Sequence, residues 1–184
     1  MLGGTFDPIH VGHLRAAETA REALSLEQVL FIPAGMPPHR EPPRASALDR
    51  FTMVGLATAE QTHFVPSDVE LLREGPSYTV DTLAVLRASR PTDELVLIVG
   101  SDAFPEMQAW RDAERVFALW QVTVVGRPGS EPANAPEPRA RWLSGPGLEV
   151  SSSAIRRLLR ERKSVRYLVP PAVADYIDKR GLYR

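Results

Sequence analysis

With 184 residues, 43% of them hydrophobic, the chain is long enough for one α/β domain burying about 70% of its unfolded surface. It has no cysteine, which excludes a disulfide framework, a thiolate metal site and a cysteine nucleophile; no apolar run is long enough to cross a bilayer and no signal-peptide pattern opens the chain, so a soluble cytoplasmic protein with no membrane partner is expected. The net charge of −1 is unevenly spread: residues 151–184 hold nine Lys/Arg against three Asp/Glu, a segment suited to a polyphosphate, and no nucleic-acid module accompanies it, so no nucleic-acid partner is expected.

The first element is a loop, Gly3-Gly4-Thr5-Phe6-Asp7-Pro8-Ile9-His10-Val11-Gly12-His13. Its paired glycines allow a tight turn and close approach to a ligand. Leu14, Ala17, Ala20 and Leu24 then recur at helical spacing, predicting a helix over 13–24. With Val11 to His13 as its first turn, His10 and His13 project together at the helix N-terminus, where free N–H groups and a partial positive charge suit a phosphate. Gln28 to Ile32 reads as a short buried strand, which makes a right-handed βαβ unit with its ligand beyond the C-terminal strand ends. Only Met1-Leu2 precede Gly3, short for a central strand, so Met1 is expected not to be the native start, with a few upstream residues completing the strand.

Further along, Pro33 to Pro43 is a loop on the ligand side, and His39 and Arg40 place two phosphate-capable donors there. Ser46 and Asp49 fit a capping pattern for a helix ending near Ala59, while His63 stands alone and reads as structural. Gly75 to Leu83 is a turn entering a helix, with Ser77 or Thr79 as its cap. Leu95 to Val99 is the strongest buried strand, followed by Gly100-Ser101-Asp102, a position where a carboxylate commonly meets a ribose hydroxyl. Trp110-Arg111 follow, and Trp120 reads as core. Val122 to Val125 is another strand, and 128–146 an irregular surface excursion anchored by Trp142-Leu143. Ser151-Ser152-Ser153 open a helix running to about Arg162; their hydroxyls either cap it or, with Arg156, hold a β- or γ-phosphate. Pro171 suits the first turn of a last helix and Gly181 its end, with Val173, Tyr176 and Ile177 as its apolar face.

The Gly3–His13 loop resembles the GGTFDPxHxGH signature of the HxGH nucleotidyltransferases. Pro37-Pro38-His39-Arg40 resembles a PPHK loop with Arg for Lys, Pro76 to Leu83 a PSYTxDTL segment, Gly100 to Trp110 a GxDxxxxxxxW element, and Val150 to Arg156 an ISSTxIR motif. Together with a YLVPxxVxxYI-like ending, these segments resemble the bacterial nicotinate-mononucleotide adenylyltransferases over nearly the whole chain. The resemblance implies a Rossmann-like doubly wound parallel sheet with a small C-terminal helical subdomain. It implies a single nucleotidyltransferase domain over 1–184, with 151–184 as the helical segment carrying SSSAIR.

The implied reaction joins ATP and nicotinate mononucleotide into nicotinate adenine dinucleotide, in NAD biosynthesis, releasing pyrophosphate. His10, His13 and Arg156 would be catalytic. Gly3, Gly4, Thr5, Phe6, Gly100, Asp102, Ser152 and Ser153 would join them around ATP. His39, Arg40, Tyr78, Thr79, Trp110 and Arg111 would bind the pyridine nucleotide, its carboxylate read largely by backbone N–H groups and its ring stacked on Trp110. Mg²⁺ would be carried by ATP phosphates, with no protein metal site, and assembly into a homo-oligomer is left open. Pantetheine-phosphate adenylyltransferase shares the ATP end but usually has Thr where His10 stands and lacks the PSYTVDTL and tryptophan elements. A non-catalytic nucleotide sensor on the same fold is the alternative of a different class.

Overall fold

The computed structural model describes residues 1–37, 41–126 and 139–184. Its centre is a six-stranded sheet in the order β3-β2-β1-β4-β5-β6, every pair parallel. The expected apolar runs form its middle: β2 spans Val29–Pro33, β4 Val96–Gly100 and β5 Gln121–Val125. Because successive side chains point to opposite faces, each run feeds two cores. Val29, Phe31, Val96 and Ile98 share one core with Ala17 and Ala20 of α1 (Val11–Leu24), Met53 and Val54 of α2 (Ala47–Thr58), Ile155 of α5 (Ser152–Arg160), and Val173 and Ile177 of α6 (Pro171–Arg180). Leu30, Ile32, Leu97 and Val99 face the other way, onto Val80, Leu83 and Leu86 of α3 (Thr79–Ser89) and Val116 and Phe117 of α4 (Ala113–Leu119). Trp120 is in this second core, as expected.

β1 (Leu2–Gly4) is short, and it is central: Leu2 pairs with Phe31 on one side and Ile98 on the other. Met1 extends the ladder, its amino group donating to Val96 O at 2.5 Å and its carbonyl accepting from Ile98 N–H at 2.8 Å. Strand order reverses between β1 and β4, so the loops after these two strands open the crevice where ligands bind in such sheets.

Four elements differ from the sequence expectations. β3 (Phe64–Pro66) and α4 carry too few residues to show a period. β6 (Ala140–Leu143) lies inside the stretch expected to be irregular, pairing Val124 with Trp142 and Val125 with Leu143 at the sheet edge. The helix after Gly75 begins at Thr79 with Tyr78 as N-cap and no side-chain cap, so neither Ser77 nor Thr79 caps it; the Ser77 hydroxyl accepts from Met36 N–H instead.

The last helix starts at Pro171 and ends at Gly181, whose φ of 62° is the left-handed turn that stops a helix. It is tied to α2 through Asp49, 6% exposed, whose carboxylate accepts from the Ser46 hydroxyl at 2.6 Å, the Tyr176 hydroxyl at 2.8 Å and Arg180 Nε at 3.3 Å. The Ser46 bond first, then the Tyr176 bond, hold this carboxyl below the usual carboxylate range. A depressed folded-state pKa stabilises above the unfolded value of about 3.9 and is lost as pH falls through the folded one. Asp49→Asn is therefore expected to unfold at lower temperature than the wild type at neutral pH, with the gap closing in acid below pH ~4. Melting curves across pH check this; a gap unchanged down to pH ~2 would assign the loss to packing instead.

Candidate active site

The loops after β1 and β4, with those after β2, β5 and β6, surround a cleft of about 730 Å³. On its β1 side, His10 is the N-cap of α1 in extended backbone, and His13 stands at the third helical position. The two rings stack with centroids 3.6 Å apart. His10 N–H donates to His13 Nδ1 at 3.2 Å, which places the proton of a neutral His13 ring on Nε2, as a donor. His10 is 4% exposed; a Cβ on Gly12 would lie 3.0 Å from its Nδ1, so any larger residue there would press on this ring. Phe6 sits at φ 49°, a left-handed conformation costing about 1–2 kcal/mol, and is held there by full burial with its ring edge-on to His13 at 5.0 Å. The peptide bond between Asp7 and Pro8 is cis.

Three side chains brace the carbonyls of this loop. Arg50 Nη1 donates to Thr5 O at 2.8 Å, Arg156 Nη1 to Asp7 O at 2.7 Å and the Ser152 hydroxyl to Pro8 O at 2.9 Å. Ser151 is the cap of α5, accepting from Ala154 N–H at 3.2 Å, and Ser153 is exposed in the cleft wall. The three serines thus divide the work: one caps the helix, one braces the loop, and one faces the cleft. Arg156 lines the cleft as well, so its guanidinium serves the loop and still borders the ligand space.

Gly3, Gly4 and Thr5 at the end of β1, and Gly100 and Asp102 at the end of β4, line the same cleft. The Asp102 carboxylate folds back over Gly100, where a Cβ would lie 2.7 Å from its Oδ1. It does not cap the following 3₁₀ turn, Phe104–Ala109, whose N-cap is Ala103.

The remaining expected residues gather at the far end of the cleft. Ser77 N–H donates to Met36 O at 2.9 Å, tying the β2 loop to the start of α3. Tyr78, Thr79, Trp110 and Arg111 all line the cleft; Trp110 is half-buried, and the Arg111 guanidinium lies 4.7 Å over the Tyr78 ring and 3.6 Å from Asp81. His39 and Arg40 lie outside the described residues. His63 keeps its structural role, its Nδ1 2.8 Å from Glu27 O and remote from the cleft. Sequence reasoning missed Asp7 and Arg50, both buried and both committed to the loop. Asp7 stood inside the motif; Arg50 gave no local signal, since it reads as one more polar residue of α2.

Among the described residues no cluster of three or more His, Asp or Glu could hold a metal, and no helix is long and apolar enough to cross a membrane.

A doubly wound sheet with helix N-termini and paired imidazoles at its switch point defines a nucleotide-handling transferase, and the family profile described as cytidylyltransferase-like matches residues 1–158. A Thermus thermophilus protein named "probable nicotinate-nucleotide adenylyltransferase" is 48% identical over all of this chain and 98% of its own length. One of the same name from Acidithiobacillus ferrooxidans is 43% identical over all of this chain and 94% of its own. In fold, the chain resembles the Plasmodium falciparum nicotinic acid mononucleotide adenylyltransferase complexed with NaAD, at a TM-score of 0.85 and 18% identity over 99% of this chain and 95% of that one. The chain belongs to the nicotinate-nucleotide adenylyltransferase family.

Proposed function

We propose that this protein transfers the adenylyl group of ATP to the phosphate of nicotinate mononucleotide, giving nicotinate adenine dinucleotide and pyrophosphate. The observation that carries this reading is the convergence on one cleft of His13, the N-termini of α1 and α5, and Arg156. The attacking group is a phosphate already ionised at neutral pH, so no general base or covalent nucleophile is required. Catalysis is positioning and charge stabilisation. His13 Nε2, at the positive N-terminal end of α1, meets the α-phosphate, with His10 fixing the His13 ring. Ser153, the α5 N–H groups including that of Ser152, and Arg156 hold the departing pyrophosphate. Gly3, Gly4 and Thr5 bring backbone to the nucleotide, and Gly100 and Asp102 border its ribose. Mg²⁺ would be carried by the triphosphate as part of that substrate and would offset its charge.

The pyridine end favours an acid. α3 begins at Thr79 without a side-chain cap, so its first N–H groups and dipole are available to a carboxylate. Arg111 adds a cation held by Tyr78 and Asp81, and Trp110 offers a ring face. Pyrophosphate release, assayed with the acid mononucleotide, its amide and pantetheine phosphate as acceptors, tests the reading. The acid is expected to be preferred over both, with Trp110 fluorescence responding to it. Equal efficiency on acid and amide defeats the specificity assignment, and ATP binding without turnover on any acceptor makes the protein a sensor.

A further inference from the structure

Asp7 places a full negative charge at the edge of a cleft meant for a polyanion. Its side chain is 5% exposed. Oδ2 accepts from Arg44 N–H at 2.8 Å, and Oδ1 from Ala45 N–H at 3.0 Å and the Tyr183 hydroxyl at 2.8 Å. Arg156 Nη1, bonded to the Asp7 carbonyl, is also only 3.7 Å from Oδ2. The carboxylate and the triphosphate therefore draw on the same cation. A buried carboxylate that loses a donor concentrates its charge and pulls harder on the nearest guanidinium.

Tyr183 reaches Asp7 across 176 positions of sequence. Gly181 and Tyr183, at φ 62° and 67°, turn the chain back from α6 and set the phenol against the loop. Burial first and the Asp7 charge second push this phenol far above its usual pKa, so it remains a donor. The other groups facing it are Arg156 and Arg50.

We propose that Tyr183 is a positioning residue for ATP binding: its hydroxyl satisfies Asp7 and so leaves Arg156 to the triphosphate. The proposal rests on the reading of Arg156 as a triphosphate ligand. A matched control lies in α6, just before that turn. Tyr176 donates to buried Asp49 at the same 2.8 Å, and neither residue lines the cleft.

The test measures affinity of the full chain for Mg-ATP by calorimetry in wild type, Tyr183→Phe and Tyr176→Phe, with melting temperatures recorded on each. Tyr183→Phe is expected to weaken ATP roughly tenfold, the scale of one hydrogen bond to a charged group, and to raise the ATP KM while leaving that for nicotinate mononucleotide unchanged. Tyr176→Phe is expected to lower the melting temperature and leave ATP affinity alone. In an Arg156→Ala background, Tyr183→Phe should change ATP affinity by less than about twofold, because the cation shared between Asp7 and the triphosphate is gone. Wild-type affinity in Tyr183→Phe, an equal loss in Tyr176→Phe, or an undiminished loss in the Arg156→Ala background overturns the proposal. The affinity measurement needs no acceptor, so it decides on Tyr183 even where the transfer assay with nicotinate mononucleotide fails.

Discussion

His13→Ala is expected to lower turnover by about 10²–10³, the scale of removing one preorganised donor to transition-state charge, with little change in affinity for nicotinate mononucleotide. The geometry gives His13 this weight rather than His10. His10 is 4% exposed, caps α1 and is packed against Gly12, so its ring supports its neighbour. His13 is less buried, borders the cleft, and accepts from His10 N–H through Nδ1, which leaves Nε2 as the donor for a phosphate oxygen. The substitution removes the bond from the His10 N–H and the ring contacts with His10 and Phe6, but leaves the three braces of the loop carbonyls, namely Arg50 on Thr5 O, Arg156 on Asp7 O and Ser152 on Pro8 O. Single-turnover kinetics with ATP and the acid mononucleotide measure the effect; a near-normal rate would take His13 out of the mechanism.

The sequence made the site legible wherever its chemistry is local. The Gly3–His13 loop, the β4 strand with Gly100-Ser101-Asp102 and the serine-capped α5 are each a few consecutive residues whose pattern states their geometry. The illegible parts depend on partners far along the chain. β3 and β6, of three and four residues, exist because β2 and β5 offer them a ladder. Ser77 has the composition of a cap, yet its hydroxyl is taken by Met36, 41 positions earlier, and the helix starts uncapped. That difference matters for function, since an uncapped helix start is what a bound carboxylate can complete. Arg50 and Tyr183 were invisible for the same reason: each is defined by one contact to the loop across 45 and 176 positions.

Arg156→Ala is expected to lower kcat/KM for ATP by about 10–100-fold, the range for losing a hydrogen bond to a charged group. Two losses combine in it. The guanidinium borders the cleft beside the α5 N-terminus, where the β- and γ-phosphates are proposed to lie, and it also fixes the Asp7 carbonyl at 2.7 Å. Arg156→Lys separates them, because an ammonium keeps the charge but lacks the fork that can hold the loop and a phosphate together. Lysine is therefore expected to recover ATP affinity better than turnover. The fold should survive both changes: Ser151 still caps α5, and Ile155, 0% exposed, still anchors it in the core, so far-UV circular dichroism is expected to match the wild type. Steady-state kinetics at varied ATP, with the mononucleotide saturating, measure the effect. ATP kinetics unaltered by the alanine would reduce Arg156 to a brace for the loop and move the pyrophosphate contact to Ser153 and the α5 N–H groups.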